Sequence, residues 1–271
     1  MRPTTLLAEI DRASYGREAD LQGRGVCVAE GWRLHERALT AGLEVEAVAI
    51  ARRCIDTPTR DEARAVAALE MAGVAVVAVD DADIDRRIQG RTFGAMLGLV
   101  RRRREQPEKL LQAAGRLVVL ERVLDPGNIG AIARSAAALG AGGLLVVNGC
   151  DPLHGKALRT SMGALWRLPV ARWPGSSADL LDAGRACGRP QVAAWLDGER
   201  LSRRRADGLH ARAPMLWMGS EAHGLHASTA AGCDQRVRID MPGDDGGVSV
   251  DSLSVAAAAA VLLWATQPPD G

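Results

Sequence analysis

Short apolar runs alternate with amphipathic stretches along the whole 271-residue chain. Uninterrupted runs such as VEAVAIA at 45–51 suit buried strands, and apolar residues recurring three and four apart suit helices with one face on a core. In the first hundred residues this alternation predicts a strand at 25–29, a helix from Gly31 to Ala41, a strand at 45–51 and a helix opened by Pro58 and Thr59. Glu62, three residues after Thr59, completes the pattern of a capping box. A strand at 74–80, a short helix from Asp83 to Ile88 and an apolar run at 95–102 follow, and the stretch RRRREQPEK at 101–109 then breaks the periodicity as a linker would. Beyond it the chain predicts strands at 117–123, 142–148, 169–173, 191–196, 214–218 and 236–240. Helices are expected at 129–139, 158–165, 178–186 and from Ser252 to about Ala265. Such alternation indicates α/β architecture in two domains, 1–105 and 106–271, the second built on a parallel sheet covered by helices.

Composition narrows the class without naming a function. Hydrophobic residues make up 47% of the chain, enough for a proper core, and no run of eighteen apolar residues crosses a membrane. The N-terminus is charged too early for a signal peptide, so a cytoplasmic protein is expected. Five cysteines, at 27, 54, 150, 187 and 233, are scattered with no CxxC pair, which argues against a disulfide framework or a zinc site. Net charge is only +1, and residues 1–105 carry 17 arginines against 17 acidic residues. Nucleic acid, if bound, must therefore meet local patches such as Arg101–Arg104, Arg203–Arg205 or the spaced Arg2, Arg12, Arg17 and Arg24. GCDPLHGKA at 149–157 has the wrong spacing for a phosphate loop, GNIG lacks the dinucleotide-binding spacing, and no GxSxG occurs.

Three segments of the second half carry polar residues at places where an α/β sheet gathers ligands. They are DPGNIGAIARSAAALGA at 125–141, LWMGSEAHGL at 216–225 and VDSLSVAAAAAVLL at 250–263. Asn128 stands at the mouth of a strand-to-helix turn, Arg134 lies six residues on, and Glu221 follows a Gly-Ser at the end of a strand. Taken alone, Asn128 reads as a turn former, Arg134 as a solvated helix residue and Glu221 as a cap or surface ion pair. In order, the three segments resemble the motifs of the SpoU (TrmH) branch of the SPOUT RNA methyltransferases. KALRTSMGALWRLPV at 156–170 also resembles that family's stretch between the first two motifs, with Arg159 open to a phosphate or to the solvent.

The resemblance implies a C-terminal SPOUT domain with a trefoil knot, preceded by a small α/β domain that binds the RNA substrate. It implies S-adenosylmethionine as cofactor, a homodimer, and methylation of a ribose 2′-hydroxyl in structured RNA; the N-terminal domain favours ribosomal RNA, with a transfer RNA 2′-O-methyltransferase as the alternative. No metal is expected, since His223 and His226 have no further ligand cluster beside them. Asn128, Arg134, Glu221 and Ser252 match the catalytic positions, while Gly219, Ile239, Leu253 and Ser254 match the cofactor contacts. Arg134 suits a phosphate and oxyanion clamp, because a guanidinium holds its proton too tightly to act as a base. Ser254 replaces the family's usual asparagine, and an acidic stretch at 244–249, led by Asp244 and Asp245, lengthens the linker before it. These departures leave open a noncatalytic RNA-binding or cofactor-sensing relative. Leu262, Leu263 and Trp264 offer either a dimer face or internal core.

Overall fold

Leu6, Leu7 and Ile10 are spaced along one helical face and are buried, so the chain opens with a helix that the reading above did not anticipate. The computed structural model describes residues 1–15, 25–88, 94–102, 104–201, 213–241 and 252–267. In chain order the first elements are α1 (Pro3–Tyr15), β1 (Val26–Glu30), α2 (Trp32–Thr40), β2 (Val45–Ala51), α3 (Arg53–Asp56), α4 (Arg60–Met71), β3 (Ala75–Val79), α5 (Asp81–Asp85) and β4 (Met96–Arg101). There follow α6 (Pro107–Gln112), β5 (Leu117–Glu121), α7 (Pro126–Ala138), β6 (Gly143–Val147), α8 (Gly155–Thr160), β7 (Val170–Trp173), α9 (Ser177–Ala186), β8 (Gln191–Arg200), β9 (Met215–Met218), α10 (Ala227–Gly232), β10 (Gln235–Arg238) and α11 (Val255–Ala265). They form two compact units, Met1–Arg104 with Leu153–Arg167, and Glu105–Pro152 with Leu168–Gly271.

The first unit holds a mixed sheet in the order β1-β4-β2-β3, with β4 antiparallel to both neighbours and β2 parallel to β3. The capping box at α4 is formed, with the Glu62 amide donating to Thr59 Oγ1 and the Thr59 amide donating to Glu62 Oε2 at 2.9 Å. On α2 the fully buried His35 places Nδ1 2.8 Å from the Gly31 carbonyl oxygen. Gly98 of β4 is glycine for a steric reason, since a Cβ there would run into the His35 imidazole. The stretch 153–167 packs into this unit: Trp166 Nε1 donates to the Leu34 carbonyl at 3.0 Å, and Arg159 pairs with the buried Glu30 at 2.8 Å. The helix expected at 158–165 is cut short because Met162 and Gly163 both adopt positive φ, 53° and 81°.

In the second unit six strands run parallel to their neighbours in the order β10-β8-β9-β5-β6-β7. Every residue of β5 and β6 is buried, which explains why their sequences are continuous apolar runs without alternation. Trp217 is fully buried, and its indole donates to Gln191 Oε1 at 2.7 Å. The Gln191 amide is fixed in turn by the Arg189 carbonyl at 2.7 Å.

Arg116, only 3% exposed and immediately before β5, sets the direction of two helices. Its guanidinium donates to the Leu139 carbonyl at the end of α7, and to the Leu263 carbonyl and Thr266 Oγ1 at the end of α11. A cation among the carbonyls that close two helices is favourably placed against both dipoles. Because α7 and α11 pack side by side and end at the same arginine, they run in the same direction. Their N-termini therefore emerge together at the opposite end, beyond the C-terminal ends of β5 and β9. Among the described residues no helix is long and apolar enough to cross a membrane.

Candidate active site

The register of the sheet brings the first two motifs together. Leu120 pairs with Met218, so Glu121 and Gly219 stand level where β5 and β9 end. From β5 the chain turns through Asp125, whose carboxylate caps α7 by accepting the Gly127 amide at 3.0 Å, and Pro126 supplies the first helical residue. From β9 it doubles back at once. A Cβ on Gly219 would overlap the backbone of Gly224 and Leu225, and the loop is closed by the Gly224 amide on the Ser220 carbonyl at 2.8 Å. The exposed Glu221 between them accepts a hydrogen bond from Asn128 Nδ2. A carboxylate only accepts, so the amide NH2 faces Glu221 and the Asn128 carbonyl oxygen faces away.

The remaining sequence-derived residues lie around the same rim. Ser254 is the N-cap of α11, its Oγ accepting the Ala257 amide at 3.2 Å, and Ser252 and Leu253 precede it in exposed, irregular chain. Ile239 is half-buried just past the end of β10. Arg134 is exposed, and its side chain makes no hydrogen bond or ion pair among the described residues. It lies roughly 9 Å along the α7 axis from Asn128 and about 120° round the helix. The structure thus joins Asn128 to Glu221 directly, carries Ser252, Leu253 and Ser254 to the same end of the unit, and leaves Arg134 unspent on a neighbouring face.

One residue at this rim escaped the sequence reading. Glu121 is 3% exposed, with Oε2 accepting the His226 amide at 2.7 Å and Oε1 accepting Ser177 Oγ at 2.5 Å and Thr229 Oγ1 at 2.7 Å. Burial pushes its pKa up, but these three donors and the nearby Arg122 outweigh that and hold the carboxyl below its ordinary range. The available signal was a lone acidic residue closing the apolar run LVVLE. Arg122, next in the chain, adopts φ 54°, and its buried Nε has no partner among the described residues.

Other expectations meet a different outcome. Arg159, offered for a phosphate, is engaged by Glu30. Arg101 is held by Glu44 and Glu46, and Arg102 donates to the Leu165 carbonyl, so the basic run is partly committed within its own unit. Leu262 and Leu263 are core, 1% and 0% exposed, whereas Trp264 is 49% exposed. Arg17, Arg24, Arg103, Arg203–Arg205 and the acidic stretch with Asp244 and Asp245 lie outside the described residues. Among the described residues no group of three or more His, Cys, Asp or Glu side chains is placed to hold a metal ion.

Comparison with known proteins follows the same geography. The model of the SpoU rRNA Methylase family matches residues 115–264, which include all eight sequence-derived site residues. The 23S rRNA (uridine(2479)-2'-O)-methyltransferase of Streptomyces viridochromogenes is 38% identical over 150 residues, 54% of this chain and 50% of that protein. The 23S rRNA (guanosine-2'-O-)-methyltransferase of Xylella fastidiosa is 35% identical over 160 residues, 57% of this chain and 60% of that one. The chain thus spans only half to about three-fifths of these curated relatives. Among solved structures, the AdoMet-bound rRNA methyltransferase from Sinorhizobium meliloti is 26% identical with a TM-score of 0.75, covering 96% of this chain and 93% of its own.

Proposed function

Because the chain belongs to the SpoU rRNA methylase family, we propose that it is an S-adenosylmethionine-dependent methyltransferase acting on a ribose 2′-hydroxyl of structured RNA, ribosomal RNA first of all. The observation that carries the reading is the hydrogen bond from Asn128 to Glu221, which ties the first motif to the second across the ends of β5 and β9. The rim suits such a cofactor. At Gly219 the backbone of the loop is bare of side chain, Ile239 and the partly exposed Leu253 supply apolar surface for a purine, and Ser254 fixes the turn into α11. When bound, S-adenosylmethionine supplies an electrophilic methyl group on a sulfonium.

The chain must then activate a weak nucleophile. Glu221, anchored through one oxygen, keeps the other to receive the hydroxyl proton, and the outward-facing carbonyl of Asn128 orients the hydroxyl. Arg134 holds a phosphate beside the ribose and stabilises the oxyanion as it develops. Ser252 adds a hydroxyl at the same end. The first unit supplies RNA recognition through shape and phosphate contacts. The chain works as a cytoplasmic homodimer to which the exposed Trp264 and Leu253 lend apolar surface, and the segments carrying the second and third motifs form a trefoil knot.

The test is transfer from methyl-labelled S-adenosylmethionine to purified ribosomal and transfer RNA by the full chain. Incorporation into ribosomal RNA supports the reading, and incorporation into transfer RNA alone changes the substrate. No incorporation into either RNA overturns the reading.

A further inference from the structure

The Asn128–Glu221 hydrogen bond closes a ring whose other junction is Glu121. One arm runs along the chain from Glu121 to Asn128, and the other runs from Glu221 to His226, whose amide returns to the Glu121 carboxylate at 2.7 Å. Both arms are held at their origin by the same buried side chain. The carboxylate also lies at the starts of two helices: Thr229 in the first turn of α10 and Ser177, the first residue of α9, both donate to it. An ionised carboxylate is favoured against the positive ends of helix dipoles, and here all its close partners are donors.

We propose that Glu121 is a positioning residue for the motif loop 219–226, fixing where Glu221 meets Asn128 and where the backbone of Gly219 faces the cofactor. The inference rests on the function proposed above. Its chemistry makes a sharp distinction between substitutions. In Glu121→Gln the amide nitrogen can face Ser177 and Thr229, whose hydroxyls rotate to accept, while the amide oxygen still accepts from His226. In Glu121→Ala the His226 amide and both hydroxyls lose their acceptor, and the loop loses its tie to β5.

The experiment compares full-length wild type, Glu121→Gln, Glu121→Ala and the near-isosteric Thr229→Val by calorimetry with S-adenosylmethionine, by RNA affinity and by amide hydrogen exchange. Glu121→Ala should weaken cofactor binding about tenfold and deprotect the His226 amide, while β5 amides and RNA affinity hold. Glu121→Gln should stay within about twofold, and Thr229→Val should lose about threefold if the alanine variant fails to fold. A general structural role would instead lower β5 protection, RNA affinity and cofactor affinity together. That pattern overturns the proposal, as does unchanged cofactor affinity in the alanine or valine variant. A wild type that binds S-adenosylmethionine and methylates no RNA sinks the proposed function alone, because the affinities still judge Glu121.

Discussion

Replacing His35 with asparagine isolates the contribution of one buried imidazole to stability. The ring is fully buried on α2, its Nδ1 hydrogen is given to the Gly31 carbonyl, and its Nε2 has no partner among the described residues where it abuts Gly98. Burial lowers its pKa from 6.5 to about 4, against a smaller opposing effect of the bond to Gly31. In the unfolded chain the ring takes up a proton first, so the native state loses stability as pH falls below about 6.5 and the loss is complete below about 4. The gap amounts to about 3 kcal/mol in full, of which about 1 kcal/mol is lost by pH 5.5. Asparagine offers an NH2 to the same carbonyl and does not titrate, and the small cavity it leaves costs the same at every pH. Urea unfolding followed by tryptophan fluorescence should therefore show the advantage of wild type over His35→Asn shrinking by about 1 kcal/mol between pH 8 and pH 5.5. An advantage that stays constant over this interval refutes the buried, neutral histidine.

Arg116→Met should cost about 3 kcal/mol in chemical denaturation, because the ends of α7 and α11 lose a shared cationic donor in a buried place; a loss below about 1 kcal/mol would mean those carbonyls are satisfied without it. Arg134→Ala should slow methyl transfer by about a hundredfold or more with cofactor affinity within a few fold, and near wild-type turnover would remove its proposed role. Ser254→Ala should lower stability by about 1 kcal/mol, whereas Ser254→Asn should match wild type within a few tenths of a kcal/mol, both read by thermal denaturation.

The last of these follows from where sequence and structure meet. Serine at 254 departs from the family's asparagine, yet both side chains cap helices well, and the structure shows the hydroxyl capping α11. The central strands were legible because β5 and β6 are uninterrupted apolar runs, and the α4 capping box because it is local in sequence. Helix α1 went unread although Leu6, Leu7 and Ile10 carry its pattern. The return of 153–167 to the first unit depends on contacts such as Trp166 with Leu34, separated by 132 positions, which no local pattern encodes. Asn128 and Glu221 could be nominated from their motifs, but their hydrogen bond is a product of strand register. The lone acid closing LVVLE marks Glu121 in the sequence, but its role is hidden for the same reason, since its partners Ser177 and Thr229 lie 56 and 108 positions away.

The most direct test of the account locates the methyl group chemically. Ribosomal RNA treated with the full chain and deuteromethyl-labelled S-adenosylmethionine would be digested to nucleosides and resolved by mass spectrometry, with alkaline hydrolysis in parallel. The label should reside on the ribose of a 2′-O-methylnucleoside and protect its 3′ phosphodiester from alkali. Label carried on a base, with the phosphodiester still alkali-labile, would contradict the chemistry assigned to Asn128, Glu221 and Arg134.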